Sequence, residues 1–491
     1  MRQHERRKQQ GFGKPIQFYP LQTRKAVVVG RSLMIGEWPT FINFLLEYFA
    51  ERIGRQWIAT EMARGDRGHP IGKWASAMRK QRNTLPPGTI GKQTINNAFR
   101  SILSAAYSLY LVEHHYEQYD EPLFERMLNK LRTSDGFLSA LSETNTAAFF
   151  LRAGYHLKYE DDLRAGHHAE FVATYPESGR RFSVEVKTRT GPLDSTQSSV
   201  RQIKLKNKLS QALKKDLSWT RVVVIDLNIP DVFTDRDDQP FRDIISEVDE
   251  AESTLKIKGA PAPSAYLFLV NQPFHFNLES IEGTPLIGAL GFKLENFQPR
   301  RQNTTFRDVI VAREAHPEMH ALIESMKTHA EPPSTFDGQH PEFAFGEPTY
   351  VRWIIGNSYL VPGPDNQEIV AELTNATASV ETKTMHGVFT ANGRHFVVGA
   401  PMTDLEASAY TKSPETFFGV FQNVGRRANN SFELAKFMYE HHRKLPKERL
   451  LEFLKDHPNL EKLKSYSQRD LAIFIAEQGA VGAAVQDRRA G

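Results

Sequence analysis

Two carboxylates and one ammonium, set on what read as neighbouring strands, are the residues of this chain best spaced to do chemistry. From Glu170 to Lys187 the sequence runs Glu-Phe-Val-Ala-Thr-Tyr-Pro-Glu-Ser-Gly-Arg-Arg-Phe-Ser-Val-Glu-Val-Lys. Pro176, Glu177, Ser178 and Gly179 form a turn between two apolar runs, so the segment predicts two adjacent strands. That pairing would bring Glu170 and Glu185 together, with Lys187 two residues on and on the same strand face. Hard oxygen ligands of this kind suit Mg²⁺ or Mn²⁺, held by Glu170 and Glu185 with the Val186 carbonyl as a further ligand. Such a metal could polarise a phosphate and activate a bound water, while Lys187 orients that water and offsets transition-state charge. The competing reading is an exposed Glu185–Lys187 ion pair on a half-solvated sheet.

The elements that must position these residues follow from changes of period. A helix is predicted over 138–152, stopped at Gly154, then short strands over 155–159, 168–175 and 181–188. A basic helix over 200–215 precedes an apolar strand over 221–228 suited to burial on both faces. The order is therefore α-β-β-β-α-β. A strand over 264–271 and a helix over 316–329 extend this α/β layer to about residue 330.

The ordered elements and the carboxylates together resemble the PD-(D/E)xK nuclease superfamily, the restriction-endonuclease-like fold, over roughly 138–228. In that family the second and third strands carry an acid and then a (D/E)-x-K triplet, matched here by Glu170 and by Glu185-Val186-Lys187. The leading helix often adds a carboxylate, which implies Glu143 as a catalytic residue beside Glu170, Glu185 and Lys187. This chain has His167-His168-Ala169-Glu170 where the family usually carries Asp, and Asp161 and Asp162 are the lesser substitutes. The resemblance also implies that the basic helix contacts substrate, with Gln202, Lys204, Lys208 and Gln211 as candidates and Arg189 as a further phosphate contact. A solvated polar face opposite Ile203, Leu205, Leu209 and Leu213 is the plainer account of that helix.

At 491 residues the chain is long enough for two or three domains. The reading is a basic arm over 1–20, a mainly helical domain over 21–134, the nuclease-like α/β domain over 135–330, a linker over 331–342, and a mixed β then helical region over 343–491. Zero cysteines exclude disulfides, thiolate metal sites and cysteine nucleophiles. A net charge of +4 neither requires nor excludes a polyanionic partner. No apolar run suits a membrane span and no secretory leader is evident, so a soluble cytoplasmic protein is expected. The segment from Gly88 to Thr94 lacks the spacing of a phosphate-binding loop, and the doublets His114-His115 and His441-His442 read as helix-surface residues.

These observations predict a multidomain α/β protein whose central domain is a metal-dependent endonuclease acting on nucleic acid, DNA favoured over RNA. The resemblance extends this to restriction or antiviral defence, and leaves open a homo-oligomer or a partner protein. The rival is a catalytically inactive nuclease-fold module for nucleic-acid binding or assembly.

Overall fold

The computed structural model describes residues 16–84, 95–115, 121–159, 169–191, 203–215, 217–230, 239–297, 305–328, 331–336, 353–363, 367–412, 414, 417–420, 422 and 430–490. The architecture is mixed α/β, in two compact units: 1–294 with 318–423, and 295–317 with 424–491. Most of the proposed arm, part of the proposed linker, and Gly88 to Thr94 fall outside the described residues.

The first unit opens with an antiparallel sheet of β1 (Gln17–Leu21), β2 (Arg24–Val29) and β3 (Ser32–Gly36), which the helical reading of this region did not include. Helices follow: α1 (Phe41–Ile53), α2 (Arg55–Ala63), α3 (Pro70–Thr84), α4 (Asn97–His115) and α5 (Glu121–Arg132). Thr40 and Asn43 form a reciprocal capping box at the start of α1, whose buried stripe is Phe41, Phe44, Leu45, Tyr48 and Phe49. His114 is a correction to its surface assignment: it is buried, stacked on Tyr110 with ring centres 5.2 Å apart.

The central elements are α6 (Phe137–Arg152), β4 (His156–Tyr159), β5 (Phe171–Thr174), β6 (Arg181–Thr188), α7 (Leu205–Leu213) and β7 (Thr220–Asp226). Their order is the α-β-β-β-α-β read from the sequence. Gly154, at φ +88°, supplies the left-handed step that ends α6 and turns the chain into β4. After α8 (Gln239–Thr254) and a small ribbon of β8 (Lys256–Ile257) and β9 (Ala260–Pro261), β10 (Ala265–Asn271) and β11 (Leu286–Phe292) complete a six-stranded sheet in the order β11-β10-β7-β6-β5-β4. The strands β6, β7 and β10 are parallel; the hairpins at either end are antiparallel.

Both faces of the sheet are covered, which is why β10 is apolar from Ala265 to Val270 and buried throughout. On one face Leu205, Leu209 and Leu213 of α7, and Ile244 and Val248 of α8, pack on Val223, Ile225, Leu267 and Leu269. On the other, Phe150 of α6 meets Phe171, and Tyr155 meets Phe182. In register, Glu185 and Lys187 lie beside Val223 and Ile225 and face α7, while Val184 and Val186 point toward α6.

Later in this unit, α10 (Pro317–Thr328) precedes an antiparallel sheet of β12 (Ser358–Pro362), β13 (Glu368–Ser379), β14 (Thr384–Ala391) and β15 (Arg394–Pro401), followed by α11 (Asp404–Lys412). Strand β13 turns into β14 between Ser379 and Thr384, and β14 reverses into β15 at Asn392 and Gly393. In the second unit, α9 (Phe306–Ala315) shares a core with α12 (Ser431–His442), α13 (Lys447–Phe453), α14 (Leu460–Lys464) and α15 (Gln468–Ala490), built on Phe306, Ile310, Tyr439, Leu450 and Leu471. Among the described residues no helix is long and apolar enough to cross a membrane.

Candidate active site

The β5–β6 hairpin sets the site, and its turn is tied down from a distance. Tyr175 donates its N–H to the Arg180 carbonyl at 2.9 Å, and Gly179 closes the turn at φ +69°. Ser178 and Arg180 both donate to the buried carboxylate of Glu318 on α10, at 2.8 and 3.0 Å. Glu318 also receives the Tyr155 hydroxyl on its backbone carbonyl at 2.7 Å. Burial, with the neighbouring Tyr175 and Glu318 adding to it, pushes the Tyr155 phenol far up. These ties resist a slip of register, which would reverse the faces of Glu185 and Lys187.

Glu170 does not sit in simple register with Glu185. Phe171 opposes Val184 in the ladder, yet Glu170 also donates its N–H to the Val184 carbonyl, at 3.0 Å. Two residues of one strand thus meet one of the next, the step of a β-bulge, which takes Glu170 out of the strict alternation. Glu170 consequently lines a cleft of about 70 Å³ with Phe171, with Glu143 and Thr144 of α6, and with Arg126 and Lys130 of α5. The same carboxylate reaches the other group of charges: its Oε1 lies 3.8 Å from the Lys215 ammonium.

Glu185 is wholly inaccessible, at 0 % exposure. Lys187 donates to its Oε1. Lys215, just past the end of α7, brings its ammonium to 2.8 Å from Oε2. That approach is an ion pair without hydrogen-bond alignment, so Oε2 is a buried carboxylate oxygen that accepts no hydrogen bond. Two carboxylates therefore flank one cation position, and the cation there is a lysine. A hard divalent ion suits this donor set, with Glu170 and Glu185 as ligands. The Val186 carbonyl points to the same strand edge as that of Val184, since carbonyl direction recurs every second residue. Among the described residues no group of three or more His, Asp or Glu is arranged to hold a metal.

The proposed nucleic-acid contacts divide. Lys208 is half-buried and donates to the Thr188 carbonyl at 2.7 Å; burial first, then the charges of Arg189 and Lys187, lower its pKa. Lys204, the N-cap of α7 in the left-handed region at φ +53°, and Gln211 on α7 are exposed. Arg189 is only 5 % exposed and donates to the Asn228 carbonyl at 3.2 Å, while the Asn228 amide donates back to the Arg189 carbonyl at 2.6 Å. It acts as a clasp between the ends of β6 and β7. Gln202, His167, His168, Asp161 and Asp162 lie outside the described residues.

Lys215 is the site residue that sequence reasoning passed over. It was one of six cations in the basic stretch, and nothing in their spacing singles out the one at the helix end. Asp226 is a second surprise: it closes β7 beside Thr188, on the face that carries α6, and burial raises its carboxyl to about 6. No family model matches this chain, and no curated protein or solved structure does either.

Proposed function

We propose that the chain is a metal-dependent nuclease of the PD-(D/E)xK kind, hydrolysing phosphodiester bonds, with DNA favoured over RNA on the resemblance alone. One observation carries the reading: Glu170, just before β5, and Glu185, on the adjacent β6 of an α-β-β-β-α-β core, flank a single cation position beside Lys187. A divalent cation bound there would supply charge for the phosphate and acidity for a water. Glu185 is fixed by burial and by Lys187; Glu170 brings its carboxylate from the cleft side. Lys187, 22 % exposed at its side chain, keeps an ammonium where it can hydrogen-bond an attacking water or a phosphate oxygen. Glu143 lines the cleft with Glu170, which supports a role for it through that carboxylate or a water on it.

The test is cleavage of plasmid, single-stranded DNA and RNA in Mg²⁺, Mn²⁺ or EDTA, by the native chain and by Glu185→Ala and Lys187→Ala. Metal-dependent cleavage that falls by about 100-fold or more in both variants is the expected result. Cleavage that survives both substitutions, or none at any metal concentration, overturns it.

A specific observation favours a second reading, a non-catalytic nuclease-fold module. Lys215 and Lys187 together already balance the two carboxylates, as lysines would in a site that has given up its metal.

A further inference from the structure

The cluster holds one ammonium more than the Glu-x-Lys triplet supplies. Glu170, Glu185, Lys187 and Lys215 sum to zero charge, so the buried carboxylate is already balanced without a metal. The two lysines are bound differently. Lys187 is two residues from Glu185 on the same strand and hydrogen-bonds Oε1. Lys215 comes from beyond the end of α7, keeps 25 % of its side chain exposed, and faces Oε2 without hydrogen-bond alignment. A lysine ammonium is a compact charge on a flexible four-carbon stem, so Lys215 can leave toward solvent with no change to the sheet.

We propose that Lys215 is an internal competitor for the metal: its ammonium holds the cation position between Glu170 and Glu185, and a divalent ion binds by displacing it. With Lys215 still in place, a divalent ion would leave these four groups at +2 in surroundings partly shielded from water; with Lys215 withdrawn the excess is +1. The lysine thus keeps the site closed to metal at low concentration. The displaced ammonium remains within a side chain's length of any anion bound at the metal. The inference rests on the nuclease reading only for the expectation that a metal belongs there.

The experiment is Mn²⁺ binding to the full chain, followed by electron paramagnetic resonance, for the native protein, Lys215→Met, Lys215→Arg and the pair Lys215→Met with Glu185→Gln. Displacement predicts that Lys215→Met binds Mn²⁺ about tenfold or more tightly than the native chain. Lys215→Arg, which keeps the charge, should bind no more tightly, and the added Glu185→Gln should remove the gain. Should Lys215→Met fail to fold, Lys215→Gln carries the same expectation, and the rise in melting temperature on adding Mn²⁺ gives a second readout. Equal affinities in the native chain and Lys215→Met, or no binding by either, overturn the proposal. A gain in affinity without cleavage would sink the nuclease reading and leave displacement standing. Cleavage with unchanged affinity would do the reverse.

Discussion

Glu113 in the helical region and Glu185 in the central sheet are both sealed from water, at 1 % and 0 % exposure, yet their partners differ in kind. Glu113 is saturated: the Arg52 guanidinium donates to both oxygens, at 2.5 and 2.9 Å, and the Tyr48 hydroxyl to one of them at 2.6 Å. Burial first, and then Glu113, push the Tyr48 phenol well up, so it stays a donor. Glu185 has two ammoniums and an oxygen that accepts no hydrogen bond. A planar guanidinium locks a carboxylate geometrically, whereas ammoniums balance it as point charges that other cations can replace. The contrast separates a carboxylate locked by a planar guanidinium from one balanced by two point charges.

Breaking the saturated cluster should cost most. Glu113→Ala leaves Arg52 and Tyr48 without their acceptor, and about 3 kcal/mol of stability should be lost in denaturant unfolding, with no rescue by Mn²⁺. A loss below about 1 kcal/mol would mean that Glu113 is not the structural half of the comparison.

Asp226 gives a third way of burying a carboxyl, in which burial outweighs the Asn228 N–H that donates to it at 3.1 Å, the Ser142 hydroxyl and the charge of Lys208. Its carboxyl is raised to about 6, against about 3.9 in the unfolded chain. Between those values the folded state binds the extra proton, so the Asp226 contribution to stability should fall as pH rises from about 4 to about 6 and then level off. Asp226→Asn should remove that slope and stabilise the protein at pH 7 by about 2 kcal/mol. Urea midpoints across the pH range would check it, and an unchanged slope would refute it.

The smallest effect belongs to exposed Lys204. Lys204→Ala should change stability by less than about 0.5 kcal/mol. If the basic face of α7 meets a polyanion, it should reduce the salt dependence of nucleic-acid binding by about one unit of slope. Fluorescence anisotropy with a labelled oligonucleotide at several salt concentrations measures this directly.

The triplet and its strand were legible because strand period, a turn of Pro and Gly, and a following apolar run agree over one short stretch. Glu143 and Glu170 do share a cleft, through a bulge that periodicity cannot foresee because it breaks the period. Lys215 was hidden for a related reason: which of several lysines meets a buried carboxylate depends on where a helix ends in space. Arg189 misled because a cation after a strand end looks solvent-facing, and only the tertiary clasp with Asn228 reveals its burial. The sheet of β1 to β3 went unread although Tyr19, Leu21, Leu33 and Ile35 alternate, because their exposed apolar face lacks the polar-out pattern that marks a strand.

The grip of Glu318 on the β5–β6 turn spans 138 residues from Arg180. At about 5–20 residues per second, a ribosome needs roughly 7–30 s to cover that distance. The hairpin therefore emerges and waits, without its last ties, until α10 has been made. In time as well as in space, the carboxylate pair is finished late, and a nascent chain passes through an interval in which its strands exist but their alignment is still unsecured.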